Sequence, residues 1–106
     1  MNELTQLLVN FRNARDWEQF HNPKDLALAL SIEAAELNEA FLWKKSEEAD
    51  MDKVREELAD VFAYALLLAN SCGLDVNEIV KAKVAKNELK YTVEKSKGSA
   101  KKYNQL

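Results

Sequence analysis

Four carboxylates lie at i,i+3 spacing inside two apolar, helix-like stretches of this chain, where ionised groups are costly. The first pair is Glu33 and Glu36, and the second pair is Glu57 and Asp60. At this spacing the two members of a pair lie on one side of their own helix. If the two helices pack together, the four acids converge, and their mutual repulsion is relieved only by protonation or by a hard cation.

The plainer interpretation of such acids is a solvated helix face, which is the usual environment of Glu and Asp. Glu33 argues against it, because Leu30 and Leu37 are its neighbours on the adjacent turns. No Lys or Arg lies three or four residues from Glu33, Glu36 or Asp60 to pair with them along the helix. A ligand set made only of oxygen suits Mg²⁺ or Mn²⁺ rather than zinc or copper, and Mg²⁺ usually binds together with substrate phosphates.

The surrounding pattern predicts an all-α protein of four helices and a polar tail. The helices are expected over about residues 3–14, 23–44, 52–72 and 75–91, and the tail over 92–106. Asn22-Pro23 and Asp75 are typical helix starts, and Gly73 stands where a helix ends. With 106 residues, 2 Gly and 1 Pro, the chain has the length of one domain and few positions for tight turns. We therefore expect a single domain over residues 1–106.

Apolar periodicity also predicts which helix faces are buried. In the first helix the expected core stripe is Leu4, Leu7, Leu8 and Phe11. The third helix is apolar nearly all round from Val61 to Ala69, which predicts a central, buried element. Its core face is expected opposite the acids, at Leu58, Phe62, Ala65 and Ala69.

Composition argues against several classes of function. A net charge of -3 is unfavourable for binding a nucleic acid polymer through a basic surface. No apolar run approaches the roughly 20 residues of a membrane span, and residues 1–10 lack the basic start and long apolar core of a signal peptide. Cys72 is the single cysteine and His21 the single histidine, so an internal disulfide and the usual zinc sites are excluded. We expect a cytoplasmic protein without a membrane partner.

Several segments, in order along the chain, resemble one known family. Glu33-x-x-Glu36 and Glu57-x-x-Asp60, separated by 20 residues, resemble the E-x-x-E, spacer, E-x-x-D signature of the all-α nucleoside triphosphate pyrophosphohydrolases, the MazG-like group. Further segments resemble its dCTP pyrophosphatase branch, namely residues 15–21, 56–60, 86–91 and 97–103. The resemblance covers nearly the whole chain.

This resemblance implies Mg²⁺-dependent hydrolysis of a nucleoside triphosphate, with dCTP or another deoxynucleotide as substrate, to the monophosphate and pyrophosphate. It implies that Glu33, Glu36, Glu57 and Asp60 are the catalytic metal ligands, with Mn²⁺ as a possible substitute for Mg²⁺. It also implies a four-helix bundle that is completed by oligomerisation, as a dimer or a dimer of dimers. The expected biological task is house-cleaning of the nucleotide pool.

The substrate-binding residues implied by the resemblance lie on several elements. Trp17 and Trp43 could supply stacking faces for the base, and Tyr64, one turn after Asp60, could reach the sugar. The remaining candidates are His21, Asn87, Lys90, Tyr91, Lys101 and Tyr103. For the last helix and the tail, the alternative is a solvated lysine face followed by a frayed end.

Two other classes of helical protein also carry acidic residues on their helices. A di-iron carboxylate bundle needs Glu-x-x-His on two helices, and His21 is not placed to supply it. A non-catalytic helical interaction module remains, and it predicts neither convergent acids nor metal-dependent turnover. A nucleotide panel with Mg²⁺, assayed for pyrophosphate, separates these alternatives.

Overall fold

The computed structural model describes residues 2–102 and residue 104. This part of the chain contains helices, turns and loops but no strand, so the expected all-α class is confirmed. The α-helices are α1 Glu3–Ala14, α2 Pro23–Glu39, α3 Met51–Ser71, α4 Val76–Lys90 and the short α5 Val93–Ser96. Short 3₁₀ turns occupy Glu18–Phe20 and Ser46–Glu48.

The helix starts follow the capping residues that the sequence offers. The Asn22 side chain accepts a 2.9 Å hydrogen bond from the Asp25 backbone N–H, and Pro23 takes the first helical position. At α4, the Asp75 side chain accepts a 3.0 Å bond from the Glu78 backbone N–H. These side chains satisfy backbone donors that a helix start leaves unpaired, which fixes where α2 and α4 begin.

The second helix is shorter than its pattern predicts. It ends at Glu39 rather than near Lys44, and the next backbone bonds, such as that from Phe41 N to Asn38 O, span only three residues. Trp43 then takes a positive φ of 60°, a left-handed conformation that is uncommon for a bulky residue. Turns rather than a continued helix therefore carry the chain from α2 towards α3.

The chain forms two compact units, and the first, Met1–Leu74, contains α1, α2 and α3. Within it α2 packs extensively along α3, and α1 packs against α3. The centre of this packing is formed by Val9, Leu26 and Leu67, one residue from each helix. Leu26 is only 1% exposed, so the contact that aligns α2 with α3 is dry. This contact holds the two helices that carry the acidic pairs.

The second unit, Asp75–Leu106, contains α4 and α5. The expected tail therefore includes one helical turn, at Val93–Ser96, and a left-handed Gly98 with φ 77°. The assignment of one domain to residues 1–106 stays a prediction. No single helix in the described part of the chain is long and apolar enough to cross a membrane, although α3 and α4 meet that criterion when taken together as a broken pair.

The buried faces of α1 and α3 differ from the predicted stripes. In α1 the prediction holds for Leu8, which is partly buried against the core, but Leu4, Leu7 and Phe11 are about half exposed or more. The buried residues of α1 are Thr5, Val9 and Arg12. In α3 the prediction is confirmed for Ala69, which is buried together with Leu66 and Leu67, and it is wrong for Leu58 and Phe62, which are exposed. Both helices carry apolar residues on more than one face, so periodicity alone could not tell which face the first unit would cover.

Candidate active site

The packing of α2 along α3 brings acids from both pairs together. Glu33, Glu36 and Glu57 each offer one carboxylate oxygen, and these three oxygens lie within 4.8 Å of one another. Asp60 lies one turn beyond Glu57, and its charge raises the pKa of both Glu33 and Glu57. The predicted convergence is therefore confirmed for Glu33, Glu36 and Glu57, whereas Asp60 is not among the acids whose oxygens lie this close.

Burial and repulsion make this cluster hard to ionise. The pKa of Glu33 is raised from 4.5 to about 7, first by burial, then by a hydrogen bond with Glu36 and by the charges of the other acids. The pKa of Glu57 is also raised, again first by burial and then by Glu36 and Asp60, with Lys53 acting in the opposite direction. A folded cluster of this kind favours either a retained proton or a bound cation.

The oxygens of the cluster fit a hard cation. Glu33 Oε2 and Glu57 Oε2 are buried and have no hydrogen-bond partner among the described residues. Ion pairs in the first unit join Arg12 to Glu18, Lys24 to Asp25 and Arg55 to Asp52, and none of these neutralises the cluster. Buried carboxylate oxygens without donors are the groups that a divalent metal ion satisfies. The cluster of Glu33, Glu36 and Glu57 is suited to such an ion.

A cavity of about 470 Å³ adjoins the acids and is bordered by Asp60. Its volume lies in the usual range for small-molecule sites. Three of the predicted substrate-binding residues line it together, which are Trp17, His21 and Tyr64. The other lining residues are Leu7, Leu8, Phe11, Arg12, Ala63 and Leu67. This combination of an apolar, aromatic wall with a carboxylate at the border can hold a flat ring next to the acidic cluster.

Local backbone structure positions Trp17 in this wall. Asp16 takes a positive φ of 57°, which turns the chain sharply after α1. The Trp17 backbone N–H then donates a 3.0 Å hydrogen bond to the Arg12 carbonyl, and the indole meets the Phe11 ring edge-on at 5.8 Å. Backbone and ring contacts therefore hold Trp17 back against α1.

His21 and Tyr64 form the polar part of the wall, with ring centroids 6.4 Å apart. His21 Nδ1 is buried and has no partner among the described residues. Burial, and secondarily the charge of Arg12, lowers the pKa of His21, so its ring is neutral at physiological pH. Burial and the nearby carboxylates raise the pKa of Tyr64, so its hydroxyl keeps its proton. Both side chains can therefore donate or accept hydrogen bonds as neutral groups.

The other predicted binding residues lie on the turn after α2, in the second unit or outside the described residues. Trp43 is 93% exposed and borders a shallow groove with Phe41 and Leu42 on the outer side of the turn after α2. Four candidates belong to the second unit, in which Asn87 and Tyr91 are half-buried; the others are Lys90 and Lys101. Tyr103 lies outside the described residues. The substrate-binding roles of all these residues stay predictions.

One residue of the cavity wall, Arg12, was not among the residues singled out in the sequence. It is 7% exposed, which is rare for an arginine. Its spacing from Thr5 and Val9, the other buried residues of α1, would place it on a core-facing stripe. The burial of Arg12 could be predicted from this spacing only if Val9, rather than Leu7 or Phe11, were known to face the core.

Residues 28–106 match the family model described as MazG-like, a match that includes both acidic pairs. The chain belongs to the MazG-like family. Bovine dCTP pyrophosphatase 1 is 39% identical over all of this chain and 68% of its own length. Human dCTP pyrophosphatase 1 is 35% identical over 67% of its length. The resemblance read from the sequence motifs is therefore confirmed.

A solved structure supports the MazG-like fold as well. It is a pyrophosphatase from Archaeoglobus fulgidus that superposes with a TM-score of 0.79 and 42% sequence identity. The superposition covers 85% of this chain and 90% of that one. The helical arrangement that brings the acids together is therefore shared with a known pyrophosphatase.

The acidic cluster of this MazG-like chain predicts an unusual dependence of stability on pH. Because folding raises the pKa of Glu33 from 4.5 to about 7, the folded chain holds this proton more tightly than the unfolded chain. The stability that the proton contributes is present below pH 4.5 and is lost as the pH rises through about 7. We expect the melting temperature of the metal-free protein to fall by several degrees over this range. A loss of about 1 kcal/mol in the free energy of unfolding lowers the melting temperature of a small domain by roughly 4 to 8 °C.

Calorimetry in a chelating buffer at pH 5 and pH 8 measures this effect. Glu33→Gln should flatten the dependence, whereas Glu39→Gln, on the same helix but outside the cluster, should leave it intact. Added Mg²⁺ should restore the melting temperature at pH 8, because the cation binds the folded cluster. An unchanged slope in Glu33→Gln would contradict the assignment.

Proposed function

We propose that this chain is a Mg²⁺-dependent nucleoside triphosphate pyrophosphohydrolase that acts on deoxynucleotides, with dCTP as the preferred substrate. Water adds across the bond between the α- and β-phosphates, which yields the monophosphate and pyrophosphate. The observation that carries the proposal is the cluster of three carboxylate oxygens within 4.8 Å beside an aromatic cavity. The named activity of the dCTP pyrophosphatase relatives supports the same reaction.

The four acids would hold the metal and thereby the triphosphate. Glu33, Glu36, Glu57 and Asp60 match the family signature position by position, and their oxygens suit Mg²⁺, with Mn²⁺ as a substitute. When bound, Mg²⁺ neutralises phosphate charge and makes a coordinated water more acidic. One of the four carboxylates also orients the attacking water. All four oxygen donors come from two packed helices, so their positions are rigid.

The cavity would bind the nucleoside. Trp17 offers its ring face to the base, and the neutral His21 and Tyr64 supply hydrogen-bonding atoms within an otherwise apolar wall. Tyr64 lies one turn after Asp60 on α3, between the acids and the base wall. A planar ring at the level of the sugar would disfavour a ribose by contact with its 2′-hydroxyl.

The second unit carries the remaining proposed substrate-binding residues. By their match to the family segments, Asn87, Lys90, Tyr91, Lys101 and Tyr103 would contact the phosphates and the base. Lysine side chains suit phosphate because each presents three donors and a positive charge. We place the activity in the cytoplasm, where the single exposed thiol of Cys72 stays reduced.

The enzyme would act as a homo-oligomer, a dimer or a dimer of dimers. Large apolar residues are exposed on every long helix, including Leu7 at 64%, Phe62 at 59% and Leu89 at 83%. Surfaces of this kind are usually covered by another chain. Trp43 lies outside the cavity of its own chain, so it would enclose a base only in an assembled enzyme.

The first prediction from this proposal concerns the acids. Glu36→Gln and Asp60→Asn should each abolish Mg²⁺-dependent release of pyrophosphate from dCTP, because each removes a charged metal ligand from the cluster. Circular dichroism should report unchanged helix content, since neither substitution alters side-chain size.

A matched control is Glu56→Gln, which neutralises an exposed acid next to Glu57 and should retain turnover. A panel of canonical deoxynucleotides and ribonucleotides at equal concentration tests the substrate class. Near-normal turnover in both ligand variants would refute the metal assignment. Absence of any nucleotide turnover in the wild-type protein would favour the non-catalytic interaction module.

A second prediction concerns the base wall. Trp17→Ala should raise the KM for a deoxynucleotide by roughly 10 to 100-fold, because stacking on an aromatic ring contributes about 1 to 3 kcal/mol. The kcat should change less, since the metal site handles only the phosphates. Phe20→Ala removes an exposed aromatic ring of the same segment that does not line the cavity, so it serves as the control. An equal effect of both substitutions would exclude a stacking role for Trp17.

A third prediction concerns assembly. Light scattering at micromolar concentration should report a mass at least twice the 12.1 kDa of the chain. Phe62→Glu, which puts a charge on the exposed face of α3, should shift the protein towards the monomer. A wild-type protein that is entirely monomeric would refute the proposed oligomer.

A further inference from the structure

Arg12 is a buried cation in the wall of the cavity. Its side chain is 9% exposed, and every other residue lining the cavity, apart from Asp60 and His21, is apolar or aromatic. Since His21 is neutral, the guanidinium is the one positive charge among the cavity-lining residues that the structure describes. Burying an arginine side chain costs free energy unless its N–H donors make hydrogen bonds, so the partners of these donors matter.

The contacts within the chain use only part of the guanidinium. Nε–H donates a 3.2 Å hydrogen bond to Asn13 Oδ1. One terminal nitrogen lies 4.0 Å from Glu18 Oε1, beyond hydrogen-bonding distance, and the Glu18 side chain is 68% exposed. A guanidinium carries five N–H donors in a planar fork. The contacts to Asn13 and Glu18 therefore anchor the side chain without satisfying the paired donors at its end.

The surroundings of these donors favour a neutral ring over a phosphate. The cavity wall contains Phe11, Trp17 and Leu67, and a phosphate group placed there would lose its hydration. Its negative charge would also lie near that of Asp60, which borders the same cavity. A flat heterocycle loses little on entering such a space and can present two adjacent acceptors to the fork of Arg12.

We propose that Arg12 is a specificity-determining residue that reads the N3 and O2 acceptors of cytosine with its paired terminal N–H groups. The inference rests on the proposed function and extends it to the choice of base. Thymine and uracil present an N3–H donor at this position, which would face a donor of Arg12. The site would therefore reject them, because a bound base would cover the donors of Arg12 and leave one of them facing another donor, unpaired.

Substrate analogues test which atoms are read. The triphosphate of 2-pyrimidinone deoxyriboside lacks the cytosine amino group but keeps N3 and O2, and 3-deaza-dCTP keeps the amino group but lacks the N3 acceptor. For the wild-type enzyme we expect the kcat/KM of the 2-pyrimidinone compound to match that of dCTP. The kcat/KM values of 3-deaza-dCTP and dUTP should be lower by about 10 to 100-fold, the range of a bidentate base contact.

Variants of Arg12 supply the second arm. Arg12→Met keeps the length and apolar packing of the side chain, and it should reduce the ratio of kcat/KM for dCTP over dUTP to near one. Both substrates should contribute to this change, because dCTP loses its paired hydrogen bonds and dUTP no longer sets its N3–H against a donor of Arg12. Arg12→Lys keeps the charge without the fork, so it should recover only part of the ratio. Glu18→Gln removes the exposed partner and should leave the ratio unchanged.

The possible outcomes separate this inference from the proposed function. Variants of Arg12 that keep the full cytosine preference would overturn the inference and leave the pyrophosphohydrolase intact. An equal loss with all nucleotides would assign Arg12 to the phosphates and overturn it as well. A preference for dGTP would overturn it, because guanine offers its paired acceptors on a different edge. A wild-type chain that hydrolyses no nucleotide would overturn both proposals.

Discussion

The arrangement of this protein depends on a conflict between hydrophobic packing and charge repulsion. The dry contact around Leu26 and Leu67 aligns α2 with α3 and thereby forces Glu33, Glu36 and Glu57 together. Left alone, these acids destabilise the folded chain, and the raised pKa of Glu33 is the direct expression of that cost. A cation converts the same geometry into a favourable site. The contact between α2 and α3 therefore determines both the stability of the first unit and the position of the acidic cluster.

A single stripe of α3 connects the parts of the candidate site. Glu57, Asp60, Tyr64 and Leu67 follow one another at spacings of three or four residues along one face of the helix. Glu57 belongs to the acidic cluster, Asp60 and Tyr64 line the cavity, and Leu67 belongs to the core. Because all four share one helix, the distance along α3 from the acidic pair to Tyr64 in the cavity wall is set by helix geometry rather than by a loop. The 3₁₀ segment with Trp17 needs only to close the side of the cavity.

The sequence predicted the parts that depend on local rules. The spacing of the acids and the caps at Asn22 and Asp75 are local, and the all-α class, the helix starts and the convergence of Glu33, Glu36 and Glu57 followed from them. The end of α2 was predicted five residues too late, because its apolar pattern continues to Phe41 while the backbone already turns.

The buried face of α1 could not be predicted, and this explains why Arg12 was missed. The stripe Leu4, Leu7, Phe11 is more apolar than the stripe Thr5, Val9, Arg12, yet the second one packs on the core. Sequence periodicity identifies the most hydrophobic face of a helix, whereas the face that is buried is the one that packs against a neighbouring helix. An apolar face that stays exposed in the single chain and one that fills its core give the same signal. Only a three-dimensional arrangement distinguishes them.

The conformation and exposure of Trp43 do not stabilise the isolated chain. It combines a left-handed backbone with almost complete exposure, so within its own protomer it carries strain without packing in return. Glycine would relax the backbone there, and an apolar residue in place of Glu33 would relieve the repulsion between the helices. A redesign or a directed selection that rewarded thermal stability of the isolated chain alone would therefore discard both residues. Under the proposed function, such a gain in thermal stability would come with a loss of catalytic activity.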